Sequence, residues 1–235
     1  MSSRIFLASQ VLSSWELFRD LSPAALEKLT ASAVLRRYPE ETRIFNQGDS
    51  DVRAHVLVEG SVRISQAGSD GAQSVIRFIR PGETFGSVAL FTDGRYPADA
   101  VALTASLEAS WSEAELLQLM DCYPQIARNI IGIIGKRLQE AQERVRELST
   151  QRVERRVARA LLRLADQAGN STTDGTEIEF PLRRGDVADI SGTTQYTASR
   201  LLAAWEKAGW LISRNRRLTL RNSSEIRRIA EDLAG

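Results

Sequence analysis

The stretch DVADISGTTQYTASRLLAAWEKAGWL (residues 186–211) contains two short amphipathic runs with a glycine between them. The apolar spacing predicts a first helix over 184–190, a turn at ISGTT and a second helix over 194–207. Gly192 can adopt the left-handed conformation that a tight turn needs, and Thr194 is a favourable N-cap for the second helix. The residues expected to pack the two helices together are Val187, Ala188, Ile190, Ala198, Leu201 and Leu202. This order predicts a helix-turn-helix motif.

The outward-facing residues of the second helix favour a role in DNA recognition. In such motifs the first turns of the second helix meet base edges in the major groove. Arg200 could donate two hydrogen bonds to guanine, and Gln195 suits adenine. Helix pairs of this kind also occur as plain packing units, but those need no exposed polar cluster. The residues predicted to face DNA are Thr194, Gln195, Tyr196, Ser199 and Arg200.

Two features around this motif strengthen the DNA hypothesis. The run GWLISRNRRLTLRN (209–222) has two alternating segments joined by a polar turn, which predicts the hairpin of a winged helix. Residues 151–235 hold fifteen Lys and Arg against eleven Asp and Glu, whereas residues 1–150 hold sixteen against nineteen. A mildly basic segment permits binding to a polyanion without proving it. The arginines expected to contact phosphates are Arg183, Arg184, Arg214, Arg216 and Arg217.

Before the motif, NSTTDGTE (170–177) is predicted as a loop and EIEFPL (177–182) as a strand.

A long helix is predicted over 124–148, since no proline interrupts its apolar pattern. Its apolar residues alternate at spacings of four and three, which is typical of the seam of a two-stranded coiled coil. A seam of about 30 Å, at 1.5 Å per residue, is longer than a small β-domain covers, which favours a parallel homodimer over packing within one chain. The predicted interface residues are Ala127, Ile131, Ile134, Leu138, Ala141, Val145 and Leu148.

The region from about residue 44 to 112 consists of short β-rich runs separated by glycines that suit tight turns: Gly48, Gly60, Gly71, Gly82 and Gly86. This pattern predicts an antiparallel β-roll, preceded by a helix with Ser22 as N-cap and Pro23 in its first turn. The predicted fold is therefore α+β. It has an N-terminal β-roll domain (1–123), a dimerisation helix (124–150) and a C-terminal winged helix-turn-helix domain (151–235).

Several classes of protein are excluded by composition. Cys122 is the only cysteine, which rules out an intramolecular disulfide and a four-cysteine zinc or iron–sulfur site, and we expect a buried, inert thiol. With one histidine and one cysteine there is no plausible catalytic triad, and no P-loop or Rossmann glycine pattern is present, so an enzyme is not expected. No run of 18 apolar residues and no cleavable signal pattern occurs, so we expect a cytoplasmic protein without a membrane partner.

Four motifs give the chain a resemblance to the CRP/FNR superfamily of bacterial transcription regulators, nearly from end to end. They are FNQGD (45–49), VLVEGSVRI (56–64), IRPGETFGSVALF (79–91) and the helix-turn-helix itself. The resemblance implies a jelly roll like that of cyclic-nucleotide-binding domains, acting as a sensor whose signal shifts the dimer helices. It also implies a palindromic operator as ligand and RNA polymerase as a further partner.

Departures from that family's pattern bear on the effector. The cyclic-AMP-binding branch has FGEL and an RS pair where this chain has FGSV (85–88) and PA (97–98). The arginine that would pair with the phosphate and the glutamate for the ribose are therefore missing, which argues against cyclic AMP. A single cysteine excludes the iron–sulfur sensor of the oxygen-responsive branch. The residues expected to line a sensor pocket are Gly86, Ser87, Val88, Tyr96, Pro97, His55, Ile134 and Leu138.

The segments RVARALLRLA (156–165), GTTQYTASRLLAAWE (192–206) and YPA (96–98) look like those of the nitrogen-oxide-responsive regulators of denitrifying bacteria. That resemblance implies a response to nitric oxide, in some members through haem. His55 is the only histidine and is the candidate axial ligand of a haem iron. The alternative for His55 is a strand residue whose ring is satisfied by hydrogen bonds. A sensor module that controls a protein partner without binding DNA also stays open.

Overall fold

The β-rich region folds into two four-stranded sheets in the computed structural model, which describes residues 12–13, 15–68 and 73–231. The strand orders are β1-β8-β3-β6 and β2-β7-β4-β5. The strands of the first sheet pair antiparallel. This confirms the predicted roll. The strands are β1 Val34–Tyr38, β2 Arg43–Phe45, β3 Arg53–Glu59, β4 Val62–Ala67, β5 Gln73–Ile79, β6 Thr84–Phe85, β7 Asp99–Ala102 and β8 Ser106–Ser112.

Strand β3 shows why this part of the sequence is almost continuously apolar. Ala54 and Val56 face one core, with Phe18 and Trp111. Leu57 faces the interior of the roll with Val62. Because both faces of the strand are covered, apolar residues do not alternate with polar ones. His55, at 3% exposure, is the polar exception on the inner face.

The turn glycines and the first helix agree with the predictions. Four of the predicted glycines, Gly48, Gly60, Gly82 and Gly86, have positive φ, and Gly71 lies outside the described residues. Helix α1 (Pro23–Ser32) begins at its predicted cap, where the Ser22 hydroxyl accepts a hydrogen bond from the Ala25 amide at 3.3 Å. Helix α2 (Glu113–Cys122) begins with a reciprocal capping box between Ser112 and Glu115. Cys122 is exposed, so the expectation of a buried thiol was wrong. It lies at the end of α2, where one side of the helix faces solvent.

Helix α3 (Pro124–Thr150) is the predicted long helix, and it has two apolar stripes. One stripe, Ile126, Ile130 and Ile133, is buried in the core that contains Trp15, Phe18 and Trp111. The second stripe is the predicted seam, and its residues remain largely exposed in the single chain: Ile131 69%, Ile134 39%, Leu138 58%, Val145 64% and Leu148 44%. Ala141 is also exposed, while Ala127 is only half-buried. No helix among the described residues is long and apolar enough to cross a membrane.

The C-terminal region consists of four helices and a small sheet of order β11-β12-β10-β9. The elements are α4 Val153–Ala168, β9 Gly169–Thr172, β10 Gly175–Ile178, α5 Arg184–Ser191, α6 Gln195–Lys207, β11 Leu211–Arg214, β12 Arg217–Leu220 and α7 Ser223–Glu231. The wing is confirmed as β11 and β12. Asn215 and Arg216 both have positive φ, as a two-residue hairpin turn of type I′ requires.

Two predictions in this region were wrong. The segment predicted as a loop contains a hairpin, because β9 pairs with β10 from Thr172 opposite Gly175 to Gly169 opposite Ile178. The predicted strand EIEFPL stops at Ile178. Pro181 has no amide to donate to a ladder, although Phe180 and Leu182 are still buried. The Leu182 amide donates instead to the Arg216 carbonyl in the turn of the wing.

The contacts divide the chain into two compact units. One contains the residues up to Ile64 together with Phe78–Glu140, and the other contains Ser65–Arg77 together with the chain from Ala141 onward. The boundary falls within α3, inside the segment that the sequence predicts as the dimerisation helix. The second unit has its own core, in which Val157, Leu161 and Ile226 are fully buried.

Leu161→Ala tests this core. Removing a side chain with no exposed surface leaves a cavity between α4 and its neighbours, so we expect a loss of about 2–5 kcal/mol in the free energy of unfolding. Urea unfolding followed by circular dichroism measures it. Leu117→Ala, at a leucine that is 43% exposed on α2, should leave the midpoint nearly unchanged. Equal effects of the two substitutions would contradict the assignment of Leu161 to a core.

Candidate nucleic-acid interface and sensor site

The helix-turn-helix is formed by α5 and α6, as predicted. Gly192 ends α5 in the left-handed region with φ 62°, and the Thr194 hydroxyl caps α6 by accepting the Thr197 amide at 3.2 Å. Ala198, Leu202 and Trp205 form the buried face of α6. Of the six predicted packing residues only Leu201 is not fully buried, and it is half-buried.

The opposite face of α6 presents the predicted polar cluster. Gln195, Tyr196 and Arg200 are exposed, and Tyr196 is 78% accessible although it is an aromatic residue. These residues occupy the first two turns, where a recognition helix meets the major groove. Ser199 is half-buried, and its carbonyl accepts a hydrogen bond from within the domain. The arrangement can place one aromatic and two hydrogen-bonding side chains against base edges.

Two of the five arginines predicted to contact phosphates also make hydrogen bonds within the domain. The Arg184 guanidinium donates to the Ser199 carbonyl at 2.9 Å and to the Glu206 carboxylate at 3.2 Å, which ties α5 to α6. Glu206 also accepts from the Ser213 hydroxyl in β11, at 2.5 Å. Arg217 donates to the Glu179 carbonyl. Arg183, Arg214 and Arg216 are exposed and keep the predicted role as a proposal.

A buried polar cluster lies inside the roll and includes His55. His55 in β3 pairs with Ser110 in β8, so Glu108 lies diagonally across from it on the same face of the sheet. Glu108 has no exposed surface, and one of its oxygens accepts from His55 Nδ1. The Tyr38 hydroxyl donates to the other oxygen at 3.2 Å. The second ring nitrogen, Nε2, lies 2.9 Å from the Tyr96 hydroxyl.

Aromatic rings pack around this cluster. The rings of Phe45 and Tyr96 are stacked with centroids 3.7 Å apart, and His55 stacks on Phe85 at 4.9 Å. Burial raises the pKa of Tyr96 to about 12, and burial together with the charge of Glu108 raises the pKa of Tyr38. Both phenols therefore stay protonated near neutral pH and can act as hydrogen-bond donors.

The structure brings together only some of the predicted sensor residues. Gly86 adjoins the cluster so closely that a Cβ there would lie 2.7 Å from His55 Cδ2 and 3.1 Å from Tyr96 Cε1. Ser87 is buried as well. Val88 and Pro97 expose their side chains instead, and Ile134 and Leu138 belong to the exposed stripe of α3.

His55 does not fit the role of a haem ligand in this arrangement. A ligand to iron needs a ring nitrogen with a free lone pair and an approach for the metal. Both nitrogens already have partners, the ring is 3% exposed, and Phe85 covers a face. The geometry matches the alternative in which a strand histidine is satisfied by hydrogen bonds.

Sequence reasoning missed Glu108 and Tyr38, which belong to this cluster, and Phe45, whose ring packs against it. Phe45 begins the FNQGD motif (45–49), but nothing in the sequence indicates that its ring packs against Tyr96. Glu108 did give a signal, because a carboxylate in the otherwise small and apolar run SLEASW (106–111) needs a buried partner if that strand is covered on both faces.

Comparisons with known proteins agree with this architecture. Residues 35–123 match the family model of the cyclic nucleotide-binding domain, and residues 155–229 match that of the Crp-like helix-turn-helix domain. The chain is 30% identical over 193 residues to the cyclic AMP receptor protein of Thermus thermophilus, covering 82% of this chain and 86% of that protein.

Two solved structures are similar in fold. The c-di-GMP-responsive global regulator CLP of Xanthomonas campestris superimposes with a TM-score of 0.72 at 25% identity, over 85% of this chain and 99% of that one. FixK2 of Bradyrhizobium japonicum gives a TM-score of 0.72 at 24% identity, over 84% and 96%.

Arg200→Ala tests the exposed face of α6. We expect it to lose about 1–3 kcal/mol of binding to the preferred DNA sequence and to relax discrimination at one base pair per half-site. Fluorescence anisotropy with a duplex that the unsubstituted protein selects from a random pool measures both. Arg227→Ala, an exposed arginine on α7, serves as the charge-matched control. Unchanged affinity for selected and random duplexes would show that α6 is not the recognition helix.

Proposed function

Because the chain belongs to the CRP/FNR family of transcription regulators, we propose that it binds a palindromic operator as a homodimer and changes its DNA affinity when the β-roll binds a small effector. It is a DNA-binding regulator and not an enzyme, like the rest of its family. The observation that carries the proposal is the exposed face of α6, where Gln195, Tyr196 and Arg200 surround a capped helix start. RNA polymerase is the proposed partner at the promoter, and the cytoplasm the proposed compartment.

The exposed stripe of α3 supports the homodimer. Ile131, Leu138 and Val145 leave more than half of their surface in water in the single chain. Pairing this stripe with its copy in a second chain removes the apolar surface from water, which is the main driving force of association. Two-fold symmetry then presents two recognition helices about 34 Å apart, one turn of B-DNA, which matches a palindrome. We also propose the division of the chain into a sensor domain (1–123), a dimerisation helix (124–150) and a DNA-binding domain (151–235).

For the effector, we propose a small molecule other than cyclic AMP. The positions that would bind ribose and phosphate hold Ser87 and Pro97–Ala98, which offer neither a carboxylate nor a guanidinium. The interior beside them is filled by His55, Tyr96 and Phe45. The names of the relatives report cyclic AMP for one and c-di-GMP for another, so effector chemistry varies within this fold.

A nitrogen-oxide response stays a prediction about the signal. Because both ring nitrogens of His55 are hydrogen-bonded, the proposal does not place a haem on this histidine. A response to nitric oxide, if it occurs, requires a different receptor group.

Leu138→Glu tests the dimer. A charge in the centre of the seam would have to be buried against its own copy, so we expect the protein to sediment as a single chain at micromolar concentration and to lose palindrome affinity. Gln139→Glu adds the same charge one residue further along the helix, outside the seam, and should stay dimeric. If the Leu138 variant sediments as a dimer with unchanged DNA affinity, α3 is not the interface.

Reconstitution with haem tests the histidine. After free haem is removed, the unsubstituted protein and His55→Gln are expected to give the same absorbance, without a Soret band that depends on this residue. DNA affinity is measured in parallel with and without nitric oxide. A sharp Soret band that disappears in His55→Gln would show that the ring gives up its hydrogen bonds to bind iron.

A further inference from the structure

The carbonyl groups at the end of α5 are held by an arginine from α4. Arg156 Nε donates to the Ser191 carbonyl at 2.9 Å, and its Nη2 donates to the Gly192 carbonyl at 2.8 Å. Its Nη1 donates to the Gln151 carbonyl, also at 2.8 Å, at the junction between α3 and α4. One guanidinium therefore joins the turn of the helix-turn-helix to the end of the dimerisation helix.

A second arginine reaches the same end of α5 from the last part of α3. Arg144 Nη2 donates to the Asp189 carbonyl at 2.7 Å, and Nη1 donates to the Ile76 carbonyl at 3.3 Å. The Asp189 carboxylate in turn accepts the Val75 amide at 3.3 Å. Arg144 is half-buried, and this burial lowers the pKa of its guanidinium, which the charge of Arg163 lowers further.

These contacts have favourable electrostatics. The last carbonyls of a helix carry a partial negative charge, and cationic side chains near them are stabilising. Hydrogen bonds from a charged donor are also stronger than neutral ones. Here two guanidinium groups bind three carbonyls at one helix end, those of Asp189, Ser191 and Gly192.

An apolar contact lies at the same place. A Cβ on Gly192 would collide with the Leu148 side chain, so this leucine near the end of α3 packs directly on the turn. Leu148 was predicted only as a seam residue, and it is 44% exposed. All of these residues belong to the second compact unit.

We propose that Arg144 and Arg156 are positioning residues that fix the angle between the dimerisation helix and the helix-turn-helix, and so determine which spacing of two half-sites the dimer accepts. The inference rests on the proposed function, because spacing has a meaning only for a dimer on a palindrome. Both guanidinium groups are directed into the domain and neither belongs to the exposed face of α6. They act through α5 and not by touching DNA. Planar guanidinium donors can bind several carbonyls in fixed directions, which an ammonium group cannot reproduce.

The first test measures the angle without DNA. The full chain carries Cys122→Ser and a nitroxide on Ala203→Cys, an exposed position of α6, and pulsed dipolar spectroscopy gives the distance distribution between the two labels of the dimer. The labelled protein that keeps both Arg144 and Arg156 should give one narrow distance distribution. Arg144→Gln and Arg156→Gln should each widen it about twofold, and Arg156→Lys should widen it too. Arg146→Gln, whose side chain is 62% exposed and pairs with Glu143 on the same helix, is the matched control and should leave the width unchanged.

The second test measures spacing on DNA. The duplex is one selected by the unsubstituted protein. Adding one base pair between its half-sites should weaken binding by the unsubstituted protein about tenfold. The same insertion should weaken binding by each of the two glutamine variants only about twofold. Discrimination between bases within a half-site should persist in these variants. Arg200→Ala should show the opposite pattern, with weaker base discrimination and an intact spacing penalty. A purely structural loss would weaken all duplexes alike.

Each outcome has a separate meaning. No dipolar signal in the unsubstituted protein would mean no dimer, which overturns the proposed function and this inference with it. A clear dipolar signal that is equally narrow in all variants, or already broad before substitution, overturns the role of the two arginines and leaves the dimeric regulator standing. Equal widening in Arg146→Gln would also overturn it. Circular dichroism of each variant shows that the domain is folded, and Arg156→Lys provides a milder change if a glutamine variant does not fold.

Discussion

Helix α3 has to satisfy two apolar faces at once, and the rest of the architecture depends on this constraint. Ile126, Ile130 and Ile133 are buried against Trp15, Phe18 and Trp111 within one chain. The stripe of Ile131, Leu138 and Val145 faces water there. A helix can be covered on one side by its own domain, but a second stripe of this length needs another helix. If the same helix of a second chain covers the stripe, the two DNA-binding domains are related by two-fold symmetry.

The features that could be predicted from the sequence are those determined by neighbouring residues. Thr194 and Ser22 cap their helices through bonds to residues three positions away. Gly192 adopts the predicted positive φ. The period of the apolar residues predicted the long helix and the two helices of the DNA-binding motif almost to the residue. All of these signals lie within a single turn or element, where local chemistry determines conformation.

The features that could not be predicted from the sequence depend mainly on partners that are distant along the chain. The phosphate contacts of Arg184 and Arg217 stay predictions, but the sequence did not indicate that these residues also bind Glu206 and the Glu179 carbonyl, which only the fold brings near. Likewise, the strand predicted at 177–182 has the right residue types, yet it ends at Ile178, and Pro181 further along has no amide to donate to a ladder. For His55 the sequence left two roles open, and the choice between them depended on Glu108, which lies in a different strand.

The cluster of His55, Glu108, Tyr96 and Tyr38 has a consequence for the chemistry of any molecule that enters the roll. Its donors and acceptors already satisfy one another, so a guest that separates Tyr96 from His55 leaves His55 Nε2 without its partner, while the Tyr96 hydroxyl still accepts the Arg53 amide at 2.8 Å. Each such orphaned group costs roughly 1–3 kcal/mol. A purely apolar guest, or a diatomic gas that accepts hydrogen bonds weakly, offers no hydrogen bond to replace the one that is lost, so its binding is weakened by this free energy. A guest that brings a hydrogen-bond donor of its own to His55 Nε2 would avoid that cost.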